Sequence, residues 1–242
     1  MKKTIVSVLM LCSFTTNAIS IDTMLKVADK NGQGTYVVTN DQRSPAFINI
    51  SLAKVYVKNG NVVKDYYNKD NLLSWEISAT QNKFVLDSGM RKMIGVRALC
   101  ADSCDPNNDS IYAVQFTPSP YKKDGESGNG VSISYGYESI FIIPAKKKSI
   151  SYSIIKKGSV VNLKNDSNTT LQVFFNQCSD MFKSDCSIKS VLLPGKVRSL
   201  TLPKNAQKGD INTIITTVDD EFYKKEVLSD GKRIKFNKTI NK

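Results

Sequence analysis

The sequence predicts an all-β protein built from β-sandwiches. Short runs that alternate apolar and polar residues, or that are rich in β-branched residues, recur along the 242-residue chain, while windows with a helical period are few. Gly, Asn, Asp, Ser and Lys separate these runs at the spacing expected for sandwich strands. Apolar residues make up 40% of the chain and aromatic residues 9%, which is enough for the cores of two domains.

In the first half, the run 46–57 alternates most clearly, and Asn59-Gly60 after it favours a hairpin turn because both residues tolerate positive φ. Residues 117–130 hold two prolines and three glycines and predict a mobile loop. The predicted strands of this half are 35–39, 46–57, 74–78, 83–86, 93–99, 111–116 and 131–143.

The second half follows a domain boundary. A strand ends at Ile143-Pro144 and the charged stretch 146–148 forms an exposed bridge, so we predict one domain over 19–144 and another over 149–242. The tail from Glu221 carries seven Lys or Arg residues and predicts a solvated terminus. The predicted strands of this half are 149–155, 159–163, 170–176, 190–193, 197–202, 211–218 and 233–236.

The first 18 residues have the pattern of a secretory signal peptide. Lys2 and Lys3 form a charged start, and residues 5–14 are an apolar stretch too short to span a bilayer. Small residues then end at Ala18, after which we predict cleavage. The sequence thus indicates export as a soluble protein that is not embedded in a membrane.

The cysteines agree with export. Removal of Cys12 with the signal leaves four, and an even number in an oxidising compartment indicates disulfides. Three connectivities are possible, but the short spacings favour Cys100–Cys104 and Cys178–Cys186. A redox-active pair at Cys100 and Cys104 is the alternative, although three residues separate them and no helix start is visible to lower a thiol pKa.

Charge and composition restrict the chemistry. The chain has 34 Lys plus Arg, 22 Asp plus Glu and no His, for a formal charge of +12. Without His it has no Ser-His or Cys-His nucleophile pair and no His-ligated metal site, and we predict no metal and no catalytic residues. A basic soluble surface explains the charge, with an anionic partner as the alternative; a nucleic acid is not expected for an exported protein.

Residues 131–143 allow a structural and a functional interpretation. From Ile140 to Ile143 the run is continuously apolar, as in a strand buried on both faces. Before it, large side chains alternate with small or polar ones, which is typical of an ordinary half-buried strand but also of a strand that completes a sheet of another chain. Each such side chain contributes roughly 1.5–3 kcal/mol when fully buried. The alternating residues are Val131, Ile133, Tyr135 and Tyr137.

With these features the sequence resembles periplasmic chaperones of the chaperone–usher pathway of pilus assembly, in the non-standard branch similar to the common-pilus-type chaperones. The most specific segment is Cys178 and Cys186 followed by Leu193-Pro-Gly-Lys196, which resembles a disulfide-closed hairpin of that branch. The other segments that carry the resemblance are 20–27, 47–55, 77–86, 94–99, 111–116, 131–144, 158–165 and 170–173.

The resemblance implies two immunoglobulin-like domains in a boomerang arrangement. It implies that the strand with Val131, Ile133, Tyr135 and Tyr137 is lent to pilin subunits, which are then delivered to an outer-membrane usher in the periplasm. No cofactor is implied. The lent residues would form an exposed apolar edge, so we expect a self-capping homodimer of the free protein.

The resemblance also implies an anchor for the C-terminal carboxylate of the subunit. In the better-known branch, two basic residues of the interdomain cleft hold this group. Lys26 is the candidate for the first, but the second falls near Ser139, which is not basic. Either Arg97 supplies the second charge or this branch binds the terminus differently.

Two other classes of function compete with the chaperone. A pilin or surface adhesin would also be built from β-sandwiches, but a pilin needs a free N-terminal extension with alternating apolar residues, and residues 19–34 turn polar after Leu25. An enzyme would have to be a thiol oxidoreductase at the Cys100 pair. We therefore predict a binding protein and not an enzyme.

Overall fold

The computed structural model describes residues 18–100, 104–121, 134–178 and 184–240. Within these ranges the chain forms eighteen strands in four sheets, with two short 3₁₀ helices, Lys69–Ser74 and Lys204–Ala206. The predicted all-β fold class is confirmed. None of the helices in these ranges has the length and apolarity needed to cross a bilayer. The predicted signal peptide lies outside the described residues except for Ala18.

The first sandwich consists of sheets A and B. Sheet A has the order β1-β3-β8-β6, with strands β1 (Ile19–Ile21), β3 (Gln33–Asn40), β6 (Ile77–Ala79) and β8 (Arg91–Ala98). Sheet B has the order β2-β10-β9-β4-β5, and β7 pairs with the first residues of β4 on the same side as β5. Its strands are β2 (Leu25–Val27), β4 (Ala46–Lys58), β5 (Asn61–Tyr66), β7 (Lys83–Leu86), β9 (Ser110–Pro120) and β10 (Tyr137–Ile143). Alternate residues of each strand, such as Ile48, Ile94 and Phe116, fill the space between the sheets.

The second sandwich consists of sheets C and D. Sheet C has the order β15-β12-β11-β18, with β11 (Lys148–Lys157), β12 (Val160–Asn165), β15 (Val197–Thr201) and β18 (Arg233–Ile240). Sheet D has the order β14-β13-β16-β17, with β13 (Leu171–Asn176), β14 (Ser187–Leu192), β16 (Ile211–Thr217) and β17 (Tyr223–Leu228). Its core again comes from alternate residues, among them Ile154, Phe175 and Ile215. The domain limits 19–144 and 149–242 stay predictions.

Several local predictions need correction. The hairpin turn is confirmed, since Asn59 and Gly60 both have positive φ between β4 and β5. The predicted strand 74–78 is wrong, because the 3₁₀ helix that Asn68 caps extends to Ser74 and the strand begins only at Ile77. The predicted loop 117–130 starts late, since β9 continues to Pro120; residues 122–133 lie outside the described part of the chain.

The basic tail is not a solvated terminus. It forms β17 and β18, because Ile234 and Phe236 point inward while the charged residues between them point outward. Phe236 stacks on Tyr152 with ring centroids 5.5 Å apart, and Phe222 lies 5.2 Å from Phe236. The alternation of charged and apolar residues is therefore that of two edge strands, whose inward side chains complete the core of the second sandwich.

A third apolar cluster joins the two sandwiches. The outer face of sheet B contributes Val55, Ala113 and Ile142, and loops of the second sandwich contribute Leu193 and Val218. The residues on both sides are nearly fully buried, so the contact excludes water as a domain core does. This cluster places the Leu193 loop, part of the segment with the most specific resemblance, directly against the first sandwich.

Hydrogen bonds around Asp109 hold the junction on one side. Its carboxylate accepts from the backbone N–H of Ala145 (2.9 Å) in the linker and from that of Thr170 (2.6 Å) in the second sandwich. Its own N–H donates to the carbonyl of Asn168 at 3.0 Å. One side chain thus connects the first sandwich, the linker and the second sandwich.

A buried ion cluster holds the other end of the linker. Lys148 is 3% exposed, and its Nζ lies 2.7 Å from Asp219, 2.6 Å from Glu221 and 2.9 Å from the carbonyl of Ala145. Burial alone would lower the pKa of Lys148, but the hydrogen bonds to Asp219 and Glu221 outweigh it and the pKa is raised. The lysine is therefore charged at neutral pH and ties the linker to the second sandwich.

We predict that Asp109→Ala loosens the junction. Two backbone N–H groups lose an ionised acceptor, which destabilises the chain by about 2 kcal/mol. Chemical unfolding and limited proteolysis at residues 144–147 measure this effect. Asp105→Ala is the matched control, because Asp105 accepts only within its own loop, from Asn107 and Asn108. Equal stability of the Asp109 and Asp105 variants would contradict the role of Asp109.

Candidate functional site at the open edge of sheet B

The N-terminal segment changes sheets at Asp22, and this leaves part of β10 uncovered. β1 pairs with β3 in sheet A, whereas β2 pairs with β10 in sheet B. Asp22 fixes the change, since its N–H donates to the carbonyl of Val37 (3.1 Å) and its carboxylate accepts from the N–H of Val37 (3.0 Å). The short β2 that remains after this change is therefore the only part of the segment that can cover sheet B.

β10 is paired fully on one side and partly on the other. It runs antiparallel to β9 from Tyr137 to Ile143 but parallel to β2 only over Ile140–Ile142. Ile140 donates its N–H to the carbonyl of Met24 at 3.0 Å. The main-chain N–H and C=O groups of Glu138, two residues earlier, therefore point to the same side. No strand among the described residues lies along that side at 137–139. We call this stretch, with residues 134–136 before it, the open edge.

The open edge presents two of the four predicted donor residues. Tyr135 is 77% exposed, and Tyr137 is half-buried at the first position of β10. Tyr137 points to the same side of the sheet as Phe141, because both lie in β10 an even number of residues apart. Tyr135 lies two residues before the strand begins. Val131 and Ile133 lie outside the described residues, so their place in a donor strand stays a prediction.

The second half of β10 is anchored in the core. Phe141 and Ile142 are fully buried, which confirms the predicted strand buried on both faces. The ring of Phe141 lies over Gly34 of β3, where an added Cβ would approach its Cε2 to 2.7 Å. Tyr112 on β9 packs beside it with ring centroids 6.5 Å apart. The C-terminal half of β10 is thus fixed in the core, while its N-terminal half forms the open edge.

Two buried hydroxyls lie behind the open edge. Tyr36 of β3 and Ser139 of β10 are both fully buried, and neither hydroxyl has a well-formed hydrogen bond within the described ranges, although they lie close enough to influence each other. Burial raises the pKa of Tyr36 to about 12, an effect that the Ser139 hydroxyl partly offsets. The sequence analysis missed Tyr36, since nothing in the local pattern of β3 distinguishes it from a core tyrosine.

Lys26 lies beside these hydroxyls. Its neighbours Leu25 and Val27 pack on the cluster between the sandwiches, so Lys26 points the other way. Its Cγ is 3.1 Å from the position of a Cβ at Gly34, and its Nζ lies 3.1 Å from the Asp22 carboxylate. The ammonium group also lies 5.5 Å from the ring centroid of Tyr36. A cation is therefore present next to the open edge, paired with Asp22.

The second predicted cation is elsewhere. Arg97 on β8 donates from Nε to the hydroxyl of Ser78 at 3.4 Å, on the outer face of sheet A. Ile94 and Val96 of the same strand fill the core, so the alternation directs Arg97 away from Lys26. The structure therefore does not bring the two carboxylate-anchor candidates together, and both roles stay predictions.

On the opposite face of the edge, Glu138 forms an ion pair with Lys64 of β5. Glu138 lies on the outer face of sheet B with Ile140, which packs on the cluster between the sandwiches. The edge strand thus has an apolar face that carries Tyr137 and Phe141 and a second face on which Glu138 is charged. A partner strand paired with β10 would meet aromatic side chains on one face only.

Both predicted disulfides are present. Cys100 is bonded to Cys104 and Cys178 to Cys186, with Cα atoms 5.0 Å and 5.1 Å apart. The second bridge joins the end of β13 to the start of β14, as expected for a closed hairpin. All four cysteines of the predicted mature chain are therefore oxidised. Among the described residues, no group of three or more Cys, Asp or Glu side chains could hold a metal ion.

Comparison with known proteins places the chain among fimbrial proteins. The family described as "CS5 fimbrial protein N-terminal domain" matches residues 21–144. A relative from Escherichia coli, described as "Uncharacterized 25.9 kDa protein in CS5 3'region", is 23% identical over 200 residues, which cover 81% of this chain and 86% of the relative.

Solved structures share the fold. A chain in the complex of the Salmonella enterica SafA pilin with the SafB chaperone is 12% identical, with a TM-score of 0.55 over 88% of this chain and 98% of that chain. A chain in the CsuC–CsuE chaperone–tip subunit complex of Acinetobacter baumannii is 11% identical, with a TM-score of 0.54 over 89% of this chain and 100% of that chain. The predicted fold of two β-sandwich domains and the resemblance to fimbrial chaperones are confirmed.

We predict that Gly34→Ala disturbs the anchor of β10. The added Cβ forces the ring of Phe141 to move, and overpacking of this kind costs about 1–3 kcal/mol. Thermal unfolding measures the loss. Combining Gly34→Ala with Phe141→Leu tests the cause, because the smaller side chain relieves the clash and the double variant should lose less stability than the sum of the single variants. Strict additivity would exclude the contact as the cause.

Proposed function

Since the chain belongs to the family of the CS5 fimbrial protein N-terminal domain, we propose that it is a periplasmic chaperone that binds fimbrial subunits by completing their sheet with its own β10 edge. The observation that carries this proposal is the open edge itself. Residues 137–139 are paired with β9 on one side and, within the described ranges, unpaired on the other, next to the half of β10 that is fixed in the core. The solved complexes of similar fold, in which chaperones are bound to a pilin or a tip subunit, support it.

Sheet completion follows from the geometry of the edge. A subunit strand that pairs with β10 forms hydrogen bonds with the main-chain N–H and C=O groups of Glu138, which point away from β9. Tyr135 and Tyr137 then enter the subunit's open core, followed by Val131 and Ile133 if the extended conformation continues toward the N-terminus. The rigid Phe141 end sets the register, because a slip by one residue would exchange the aromatic face for the charged face.

A pilin is the less suitable alternative. A pilin donates a free N-terminal extension to its neighbour, whereas here the N-terminal segment is used within its own fold. Ile19–Ile21 pair with β3 and Leu25–Val27 pair with β10. The described segment therefore has no unpaired strand to donate at this end, while the open edge is at β10.

The chaperone releases its subunits to an outer-membrane usher in this proposal, and the process uses no cofactor. Exposed strand edges tend to pair with other edges, so the free protein shields residues 134–139 by pairing with a second copy. The residues 1–18 direct export to the periplasm, where the two disulfides are stable.

Lys26 is the cation that receives the C-terminal carboxylate of the subunit in this proposal. It lies beside the open edge, and its present partner Asp22 occupies the position that the carboxylate would take. The pair is partly exposed, with side chains 24% and 32% accessible, so an exchange of partners costs little. Ser139 cannot add charge, and a single cation replaces the pair of basic residues of the better-known branch.

We predict that Tyr135→Asp strongly weakens subunit capture without unfolding the chain. The side chain is 77% exposed and makes no side-chain bond within the described ranges, so its loss leaves the fold intact. Burial of its ring in a subunit is worth roughly 1.5–3 kcal/mol, so affinity falls about tenfold to a hundredfold or more. Co-expression with secreted fimbrial subunits of the same genome, followed by co-purification, measures capture.

The matched control is Tyr223→Asp. Tyr223 is 63% exposed on β17 of the second sandwich, so the same change is made far from the open edge. Subunits should co-purify with the Tyr223 variant as with the unaltered chain. If the Tyr135 variant also retains them while its spectrum and melting temperature are native, the subunit binds elsewhere and the proposal is wrong.

We predict opposite effects for the two members of the Lys26 pair. Lys26→Ala weakens binding of a subunit with a free C-terminus roughly fivefold, as expected for a partly exposed ion pair. Asp22→Asn strengthens it, because the amide oxygen still accepts from Val37 while Lys26 loses its competitor. Titration with a peptide of the subunit's last strand, in free-acid and amidated forms, measures both effects.

Arg97→Ala is the control, since Arg97 lies on the outer face of sheet A. The amidated peptide should bind the unaltered chain and the Lys26 variant equally. A loss of affinity in the Arg97 variant but not in the Lys26 variant would transfer the anchor to Arg97 and contradict the assignment.

A further inference from the structure

The outer face of sheet C contains a groove that the proposed chaperone mechanism does not use. Its volume is about 570 Å³, and its floor is the outward side of β11. Tyr152 and Ile154 of this strand point into the core, so Ser151 and Ser153 face the groove. We call it the serine groove.

Three cations line the serine groove at defined positions. Ser153 pairs with Lys235 of β18 on one side and with Lys164 of β12 on the other, so a small hydroxyl lies between two lysines. Arg233 lies two residues before Lys235 in β18, on the same face of the sheet and opposite Ile155. The chain thus places like charges on both sides of the central strand β11, with no acidic side chain between them at this level.

These cations are only partly neutralised. Lys164 forms an ion pair with Asp166 at 2.9 Å, with both side chains about half exposed. Arg233 and Lys235 have no acidic partner among the described residues, and both are exposed. The hydroxyls of Ser151 and Ser153 likewise have no hydrogen-bond partner in the described part of the chain. The groove therefore offers charged donors along its wall and neutral donors on its floor.

We propose that the serine groove binds an extended acidic segment of a partner polypeptide. Strand residues two apart lie about 7 Å from each other, and this is also the spacing of Lys235 and Arg233 along β18. One carboxylate of such a segment would therefore contact Lys235 and Lys164 beside Ser153, and the carboxylate two residues away would contact Arg233. The small floor residues leave room for one chain. Asp166 at the Ser151 end repels a continuous anionic surface, which favours a polypeptide with spaced carboxylates over a membrane.

This proposal is independent of the open edge. The serine groove lies in sheet C of the second sandwich, while the open edge lies in sheet B of the first. The groove is built from β11, β12 and β18, and the open edge from β10 alone, so no strand is common to both.

The test uses the full mature chain and a fluorescein-labelled ten-residue peptide of alternating Ser and Asp, followed by fluorescence anisotropy. Arg233→Glu with Lys235→Glu should weaken binding at least tenfold. Lys83→Glu with Arg91→Glu, which reverses two exposed charges of the first sandwich, makes the same change in net charge and should weaken it less than twofold. Equal effects of the two double variants would show attraction by net charge only and overturn the proposal.

A variant without a charge change tests the groove itself. Ser153→Leu fills the floor and should also weaken binding about tenfold, while unchanged affinity would overturn the proposal. Arg233→Gln with Lys235→Gln provides a milder change if the reversed variant does not fold, with an expected loss of roughly threefold to tenfold. Circular dichroism verifies the fold of each variant.

Two further probes separate the source of the anionic group. Inorganic phosphate at millimolar concentration should leave the peptide bound, and vesicles of phosphatidylglycerol and phosphatidylcholine should not retain the chain through Arg233 and Lys235. Displacement of the peptide by phosphate would indicate a small-anion site. Vesicle binding that the double reversal abolishes would indicate a lipid surface. Either result would overturn the polypeptide proposal.

Discussion

The change of sheet at Asp22 is the constraint on which the open edge depends. Because the carboxylate and N–H of Asp22 are held by Val37 of sheet A, the N-terminal segment reaches sheet B late and covers only three residues of β10. A longer β2 would pair with residues 137–139 and leave no place for a partner. The site is thus created by how far one strand extends, and not by a special group at the edge.

An uncovered edge is a hazard that the surrounding structure limits. Unpaired main-chain groups of a strand attract other strands, and exposed aromatic side chains add to the attraction. Among the described residues of β10, 137–139 are unpaired on one side, and the Glu138–Lys64 ion pair gives one of their faces a charged character. The fully buried Phe141 fixes the position of the strand without covering it. The ion pair and the buried half of β10 therefore leave the unpaired side of residues 137–139 as the part of the described strand that is open to a partner.

The sequence predicted the alternating strands and the local turns well, but it did not predict which distant strands pair with each other and over what length. The long strand 46–57, the Asn59-Gly60 turn and the two disulfides follow from local pattern, since each depends on residues close together in the chain. The extent of β2 against β10 does not, because it depends on hydrogen bonds between segments more than a hundred residues apart. The charged β17 was not predicted, and of β18 only residues 233–236 were, for a related reason: the apolar inward residues of these strands have partners, such as Tyr152 for Phe236, that only the tertiary fold reveals.

The junction between the sandwiches determines how the two proposed surfaces can act together. Val55 and Ile142 of sheet B are buried against Leu193 and Val218, and Lys148 ties the linker to the second sandwich through two carboxylates. With both attachments in place, the open edge and the serine groove belong to one body. Apolar burial at the edge depends weakly on salt, whereas the groove acts through exposed charges that salt screens within about 10 Å. A partner that uses both surfaces would therefore lose its groove contact as ionic strength rises, and the partly exposed Lys26 contact at the edge would weaken too. The apolar burial at the edge would remain.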